Sequence, residues 1–325
     1  MHIKIKPIML VYLFIIKISR MLKPKNSILI ILAFFSIYVI WGSTYMLNKI
    51  AVTELPPFKI ASIRFLTAAF LIFGIAKLLR IPLTISAKQL KNTAIAGFLF
   101  LTFGNGVVVW SLQYIDSGIT ALEISAQPLV ILIMMRILQG KKIQTMSVIG
   151  VVLGVIGIYL LVSQKDIISK ENSVIGMLMI FACMLSWAYG SLFVGKADLP
   201  KNYFINTGYQ MLTGGTMLFI TSMCLGEKWS PPTEWSTNAQ WSIILLIVFG
   251  SIVAFTSFNY LLRVVSPEKV ATSTYVNPII ALILGWYFLN EHISGQSIIA
   301  AIVLLTGVYF INTKKKLALL SRFRK

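Results

Sequence analysis

Residues 117–163 read SGITALEISAQPLVILIMMRILQGKKIQTMSVIGVVLGVIGIYLLVS, and residues 267–313 read PEKVATSTYVNPIIALILGWYFLNEHISGQSIIAAIVLLTGVYFINT. Laid over each other without a gap, Ala121 falls on Ala271, Gln127 on Asn277, Pro128 on Pro278, Gly157 on Gly307 and Tyr159 on Tyr309. An amide followed by proline inside a long apolar run is costly. Proline removes a backbone donor, and the amide must be satisfied away from water. Meeting that pattern twice at a constant offset marks a duplication. Working outward, Trp41 matches Trp187, Phe58 matches Phe204, Leu66-Thr67 matches Leu212-Thr213, Phe103-Gly104 matches Phe249-Gly250, and Tyr114 matches Tyr260. The offset there is 146 rather than 150, so a four-residue insertion lies near 263–266.

The copied unit is a membrane unit. Mean hydropathy is +0.84, with 57% of residues hydrophobic and 12% charged. That is about half the charge of a soluble domain, so lipid is the solvent for most of the chain. Ten apolar runs near the length needed to cross hydrocarbon are expected: 28–50, 58–79, 91–113, 117–138, 144–163, 173–195, 204–225, 238–262, 267–289 and 295–312. A net charge of +19 would suggest nucleic acid in a soluble protein. Here the charges fill short gaps between apolar runs, so they read as topology signals and anionic-lipid contacts, with no nucleic-acid partner. Cys183 and Cys224 both sit in apolar runs, and no HExxH or CxxC occurs, so no metal, cofactor or catalytic set is expected.

Charge also sets orientation. With the N-terminus in the cytoplasm, cytoplasmic segments hold 23 of the 29 Lys and Arg, as the positive-inside rule requires. Both termini are then cytoplasmic, in a multi-pass protein of the plasma or inner membrane. Five spans per copy is an odd number, so the second copy enters with opposite orientation. The fold class expected is an all-α integral membrane protein of ten transmembrane helices in two five-helix inverted-topology repeats, 28–164 and 173–313. A basic cytoplasmic tail, 314–325, follows. Residues 1–27 stand apart. IMLVYLFII (8–16) is too short to span and lacks a small-residue cleavage site, so we expect a start at Met21 or a loose surface segment.

Inverted repeats place groups near their shared axis at mid-membrane, reachable from either side in turn. Pro128 cannot donate to the carbonyl of Ile124, nor Pro278 to that of Thr274. Those freed carbonyls call for a wet cavity, with the two prolines as hinges. Thr120, Glu123 and Gln127 share one helix face, and Ser273 and Asn277 are the repeat mates of Glu123 and Gln127. Glu123 reads either as a proton-titrating or amine-binding group, or as a carboxylate snorkelling to the interface or paired with a cation. Trp41, Thr44, Tyr45 and Asn48 share a face of the first span. Asn105, Trp110 and Gln113 lie in the third, Trp187 and Tyr189 in the sixth, and Asn259 and Tyr260 in the eighth. Together they describe an aromatic-and-amide pocket for a small amphipathic solute. Arg64 reads as structural, satisfying carbonyls or pairing with Glu54. Gly150, Gly154 and Gly157 allow close helix approach, within one chain or in a weak homodimer.

WGSTYMLNKIAVTELPPFKIASIRFLTAAFLIF (41–73), with its WGS, basic residue, PP pair and RF, resembles the opening of the EamA family in the drug/metabolite transporter superfamily. The run NPIIALILG (277–285) and the ending LNEHISGQSIIAAIVLLTGVYF (289–310) are similar to it as well. The resemblance covers roughly 28 to 312. It implies the same ten-helix inverted repeat and export of metabolites such as amino acids, or of toxic compounds. In the first repeat GKK (140–142) stands where Glu291 supplies an acidic residue in the second.

Three functions compete. A secondary exporter of a small amphipathic metabolite, with protons as coupling ion, explains the inverted repeat and the polar midpoints. A broad drug exporter is its variant. An intramembrane enzyme on lipid-linked substrates would need paired carboxylates or a Ser/His set, and Glu123 stands alone. A channel would show a continuous polar stripe. The first is the expectation.

Overall fold

The computed structural model describes residues 27–140, 143–164, 171–265, 270 and 273–312. The expectations for 1–26, for residue 266 of the insertion and for the tail 314–325 lie outside the described residues. Among those described, the chain is helical and contains no strand. Seven helices are long and apolar enough to cross a membrane: α1 (Ile28–Val52), α2 (Pro57–Leu78), α3 (Ala87–Ser111), α4 (Ser117–Gln139), α5 (Thr145–Val162), α6 (Ser173–Val194) and α8 (Thr237–Val264). α7 (Tyr203–Cys224) is as long as α2 but buries Asn206, Thr207 and Gln210. α9 (Ser273–Leu289) and α10 (Gly295–Asn312) follow. α3 begins four residues before the expected 91 because Ser86 caps it: the Ser86 hydroxyl accepts from Gln89 N, and the Gln89 side chain accepts from Ser86 N.

Polarity runs from inside outward. Thr44, Asn48, Arg64, Glu123, Gln210, Asn259 and Asn277 are buried, while Phe70, Leu78, Ile137, Tyr159, Trp241, Tyr287 and Ile302 are exposed. Such an arrangement would aggregate in water. In lipid it is the stable order, because unmatched polar groups cost most on the outside.

Several helices are deliberately imperfect. α1 passes through a π segment at Ser36–Ile40, and residues 98–103 and 246–255 do so in α3 and α8. Widened turns loosen backbone pairing and recur at functional positions. Asn277 of α9, with its amide nitrogen facing α1, donates to the carbonyls of Ile37 and Tyr38, each at 2.8 Å. α4 is interrupted at Ser125–Ala126, one turn before Pro128 loses its donor. α9 differs from the expectation of two matching kinks, since it continues as one helix through Pro278.

Contacts follow the repeat offsets. A Cβ at Gly157 would lie 2.9 Å from Leu304 N, and one at Gly307 would lie 2.9 Å from Gly154 N. These two contacts are mates of each other at the 150-residue offset. The glycine stripe of α5 is therefore spent on α10 of the same chain. Trp41 and Trp187, mates at offset 146, meet edge to face at 6.1 Å. Two equivalent residues that touch each other sit where the halves meet.

Candidate functional site

Around the Trp41–Trp187 contact, the halves enclose a cavity of about 930 Å³. Phe100, Phe255 and Phe258 join the two indoles, with ring centroids 4.7 Å for Phe100–Trp187 and 5.1 Å for Trp41–Phe258. Ile124 and Thr274, each four residues before one of the two prolines, both line the wall. Among the described residues, the exposed part of the lining gathers at one end. At that end its wall includes the exposed Gln144, Gly195, Lys196 and Arg263. At the other end it stops against Asn48, Arg64 and Val108, all buried.

The blind end is sealed by charged side chains satisfied by backbone. Lys49 Nζ donates to the carbonyls of Leu112 and Ile115 at 2.6 and 2.9 Å. Fully buried Lys59 donates to the carbonyl and hydroxyl of Ser230, both at 3.0 Å, and stands over the rings of Trp229 and Trp235. Glu227 accepts from the N–H groups of Phe58 and Lys59 at 3.1 and 2.7 Å, at the start of α2. Glu291 accepts from those of Ser117 and Gly118 at 2.7 and 3.0 Å, at the start of α4. Each helix start presents unpaired donors and a positive dipole end, so a carboxylate there is well placed. Glycine at 285 leaves room for it: a Cβ there would collide with the Glu291 carboxylate.

Of the residues expected to gather, Trp41, Thr44, Tyr45, Asn48, Asn105, Gln127, Trp187, Asn259, Ser273 and Asn277 line the cavity, as does Pro128. Five do not. Trp110 lies five residues past Asn105, about 140° round a helix; it packs on Phe58 at 5.5 Å and, with Gln113, lines a separate depression at the blind end. Tyr189, two residues past Trp187, is turned about 200° and half exposed on the outer surface. Tyr260 packs on Tyr203 at 5.2 Å. Glu123 is 3% exposed and sits behind the wall, its Oε2 without a hydrogen-bond partner. It neither snorkels nor pairs with a cation among the described residues. Pro278 is buried but off the wall.

Two polar features are larger than the sequence reading allowed. Arg64 does not meet Glu54, which accepts from Ser236 N at 2.7 Å. It lines the cavity instead. Asn206 also lines the wall and joins a relay: Gln210 Nε2 donates to Asn206 Oδ1, Asn206 Nδ2 to Asn259 Oδ1, and Asn259 Nδ2 to Thr207 Oγ1, at 3.2, 3.3 and 2.9 Å. The signal was available, because Gln210 is the repeat mate of Arg64 and Asn206 lies one turn before it.

The model of the EamA-like transporter family matches residues 8–163 and 174–313. The inner membrane transporter YedA of Escherichia coli (strain K12) is 33% identical over 294 residues, 88% of this chain and 94% of that one. A probable amino-acid metabolite efflux pump of Salmonella typhimurium is 22% identical over 84% of this chain and 91% of its own length. A solved crystal structure covers 93% of this chain and all of its own with a TM-score of 0.62; at 15% identity it speaks for the fold alone.

Proposed function

This chain belongs to the EamA-like transporter family, and from that premise we propose that it is a secondary-active exporter of a small amphipathic metabolite, an amino acid or a related compound. Two five-helix halves, 28–164 and 173–313, make ten spans of inverted topology and rock about their junction in a plasma or inner membrane. The observation that carries this reading is the one-ended cavity built on residues that are each other's repeat mates. A two-fold relation between the halves makes the opposite opening equally constructible. The distribution of Lys and Arg assigns the open end to the cytoplasm, where an exporter loads. The amino-acid efflux pump among the relatives supports the substrate class.

Glu123 serves as the proton carrier in this reading. It is a buried carboxylate one residue from Ile124 of the wall, with an oxygen left without a partner. The test is counterflow of radiolabelled amino acids in proteoliposomes holding the full chain. Uptake should exceed protein-free vesicles, and an imposed pH gradient should drive accumulation in the wild type but not in Glu123→Gln. Loss of all counterflow advantage across amino acids and cationic dyes sinks the transport reading. Gradient-driven accumulation surviving in Glu123→Gln sinks only the coupling role.

A further inference from the structure

Among the described residues, the charged side chains on the cavity wall are all cations: Lys196 and Arg263 stand at the mouth and Arg64 at the blind end, with no Asp or Glu in the lining. A low-dielectric cleft lined by one sign of charge concentrates solutes of the other. Arg263 is held by the carbonyls of Pro200 and Lys201. Arg64 is different.

Three cations lie deep within this end of the molecule, and they are satisfied unequally. Lys49 and Lys59 each reach backbone carbonyls. Arg64, at 3% exposure, offers five N–H donors to two neutral side chains: Nε donates to Ser251 Oγ at 2.7 Å and Nη1 to Asn105 Oδ1 at 3.5 Å. No carboxylate pairs with it among the described residues. A buried guanidinium without an anion is strongly destabilising, so a purely structural role would have met it with carbonyls or an acid. Glycine at 250 keeps its outer edge clear, since a Cβ there would lie 3.0 Å from Nη2. The π segment of α8 carries both Gly250 and Ser251 to this spot.

Resting on the transport reading above, we infer that Arg64 is the anchor for a substrate carboxylate, so that the cargo is an organic anion or zwitterion rather than a cation or neutral drug. The planar fork of arginine matches a carboxylate through two parallel hydrogen bonds. The aromatic rings on the wall, Trp41, Tyr45, Phe65, Trp187, Phe255 and Phe258, take the apolar part. Asn48, also on the wall, donates its amide to the Thr44 carbonyl and leaves Oδ1 buried without a partner. That acceptor suits an N–H group, which favours zwitterions over simple acids. Of the three cations at this end only Arg64 is on the wall, and one such cation suits one negative charge better than a phosphate.

The test uses the purified full chain and a set of carboxylates, each with its carboxamide: L-phenylalanine and L-phenylalaninamide, L-leucine and L-leucinamide, hydrocinnamate and hydrocinnamamide, with phenyl phosphate and a cationic dye added. Ligand-induced shifts in Tm across a concentration series give apparent affinities. Acids should bind at least ten times more tightly than their amides. Arg64→Gln should abolish that preference, and Arg64→Lys should restore part of it. Gly250→Ala, which crowds Nη2 while keeping the charge, should weaken acids and spare amides. The wild-type ratio of acid to amide needs no variant, so a misfolded Arg64→Gln does not protect the proposal. It is overturned if no acid binds, if amides or the dye bind as well as the acids, if phenyl phosphate binds more tightly than every carboxylate, or if folded Arg64→Gln keeps the preference. Counterflow of the dye in any of those cases would leave the transport reading standing.

Discussion

Leu225-Gly226-Glu227 and Leu289-Asn290-Glu291 stand at the blind end of the cavity; their repeat mates in sequence are Leu79-Arg80-Ile81 and Gln139-Gly140-Lys141, of which all but Lys141, outside the described residues, stand at the end that is open. In all four a helix ends and the middle residue takes left-handed backbone, with φ of 67° at Gly226, 54° at Asn290, 55° at Arg80 and 63° at Gly140. The first pair of mates even shares its closing hydrogen bonds. Gly226 N donates to Met223 O as Arg80 N does to Lys77 O, and Glu227 N to Ser222 O as Ile81 N does to Ala76 O. These are the bonds that satisfy a helix's last carbonyls. What differs is the side chain that follows. At the blind end it is a glutamate that reaches a helix start in the other half. At the open end the same positions are isoleucine and lysine, which cannot accept from backbone N–H. The backbone is duplicated and the polar chemistry is not. Under the alternating-access reading proposed above, such corner residues would decide which end is shut.

The largest expected effect comes from removing both glutamates. A carboxylate accepting from backbone donors at a helix start contributes about 1–2 kcal/mol. Losing two should shift the balance between the shut and open forms of that end by about 3 kcal/mol, on the order of 100-fold. In a Cys183→Ala, Cys224→Ser background, a cysteine at Val108 marks the floor of the cavity. Its labelling by a membrane-impermeant thiol reagent from the blind-end side should rise by about that factor in Glu227→Ala with Glu291→Ala. An unchanged rate would mean the corners are ornaments and the aromatic packing alone holds this end.

This asymmetry also explains what the sequence could and could not reveal. The helices, their order and part of the cavity wall were readable, because apolar run length and a constant repeat offset are one-dimensional signals. Ile124 and Thr274 came to the wall as the proline argument required. Positions that depend on angle around a helix were not readable. Trp110, Tyr189 and Tyr260 were grouped with the pocket by residue type, and their spacing from Asn105, Trp187 and Asn259 turns each one away. Arg64 was visible but read as structural, satisfying carbonyls or pairing with Glu54; a nearby opposite charge in sequence is a poor guide when loops fold across the other half. The glutamates at the corners were readable only as an acidic residue present in one copy and missing from the other. Their partners, backbone donors 168 and 169 residues away for Glu227 and 173 and 174 for Glu291, leave no trace in composition.

A second perturbation sharpens the contrast without touching the corners. Lys59 ties the 225–236 segment down through Ser230. Lys59→Met keeps the stem and removes the ammonium, leaving those oxygens unmet at about 1–3 kcal/mol. Amide hydrogen exchange should accelerate by about tenfold or more across 228–236, while 196–202 at the open end stays as in the wild type. Equal acceleration at both ends would show that Lys59 supports the whole bundle and does not belong to one end.

The smallest effect is expected at the open end itself. Asp198 is exposed there, where it accepts from Gln89 Nε2 at 3.3 Å and its carbonyl accepts from Asn92 Nδ2 at 2.9 Å. This contact also joins the two halves, so in topology it is the open end's counterpart to the glutamate corners. It differs in being wet and in meeting a neutral amide instead of a helix start. Asp198→Asn keeps an acceptor in place, and surface changes of this kind usually stay within about 0.5 kcal/mol. Labelling of the cysteine at position 108 should therefore change by less than about threefold. If Asp198→Asn moved that rate as far as the loss of both glutamates, burial at a helix N-terminus would not be what distinguishes the two ends, and any inter-half contact would serve equally well.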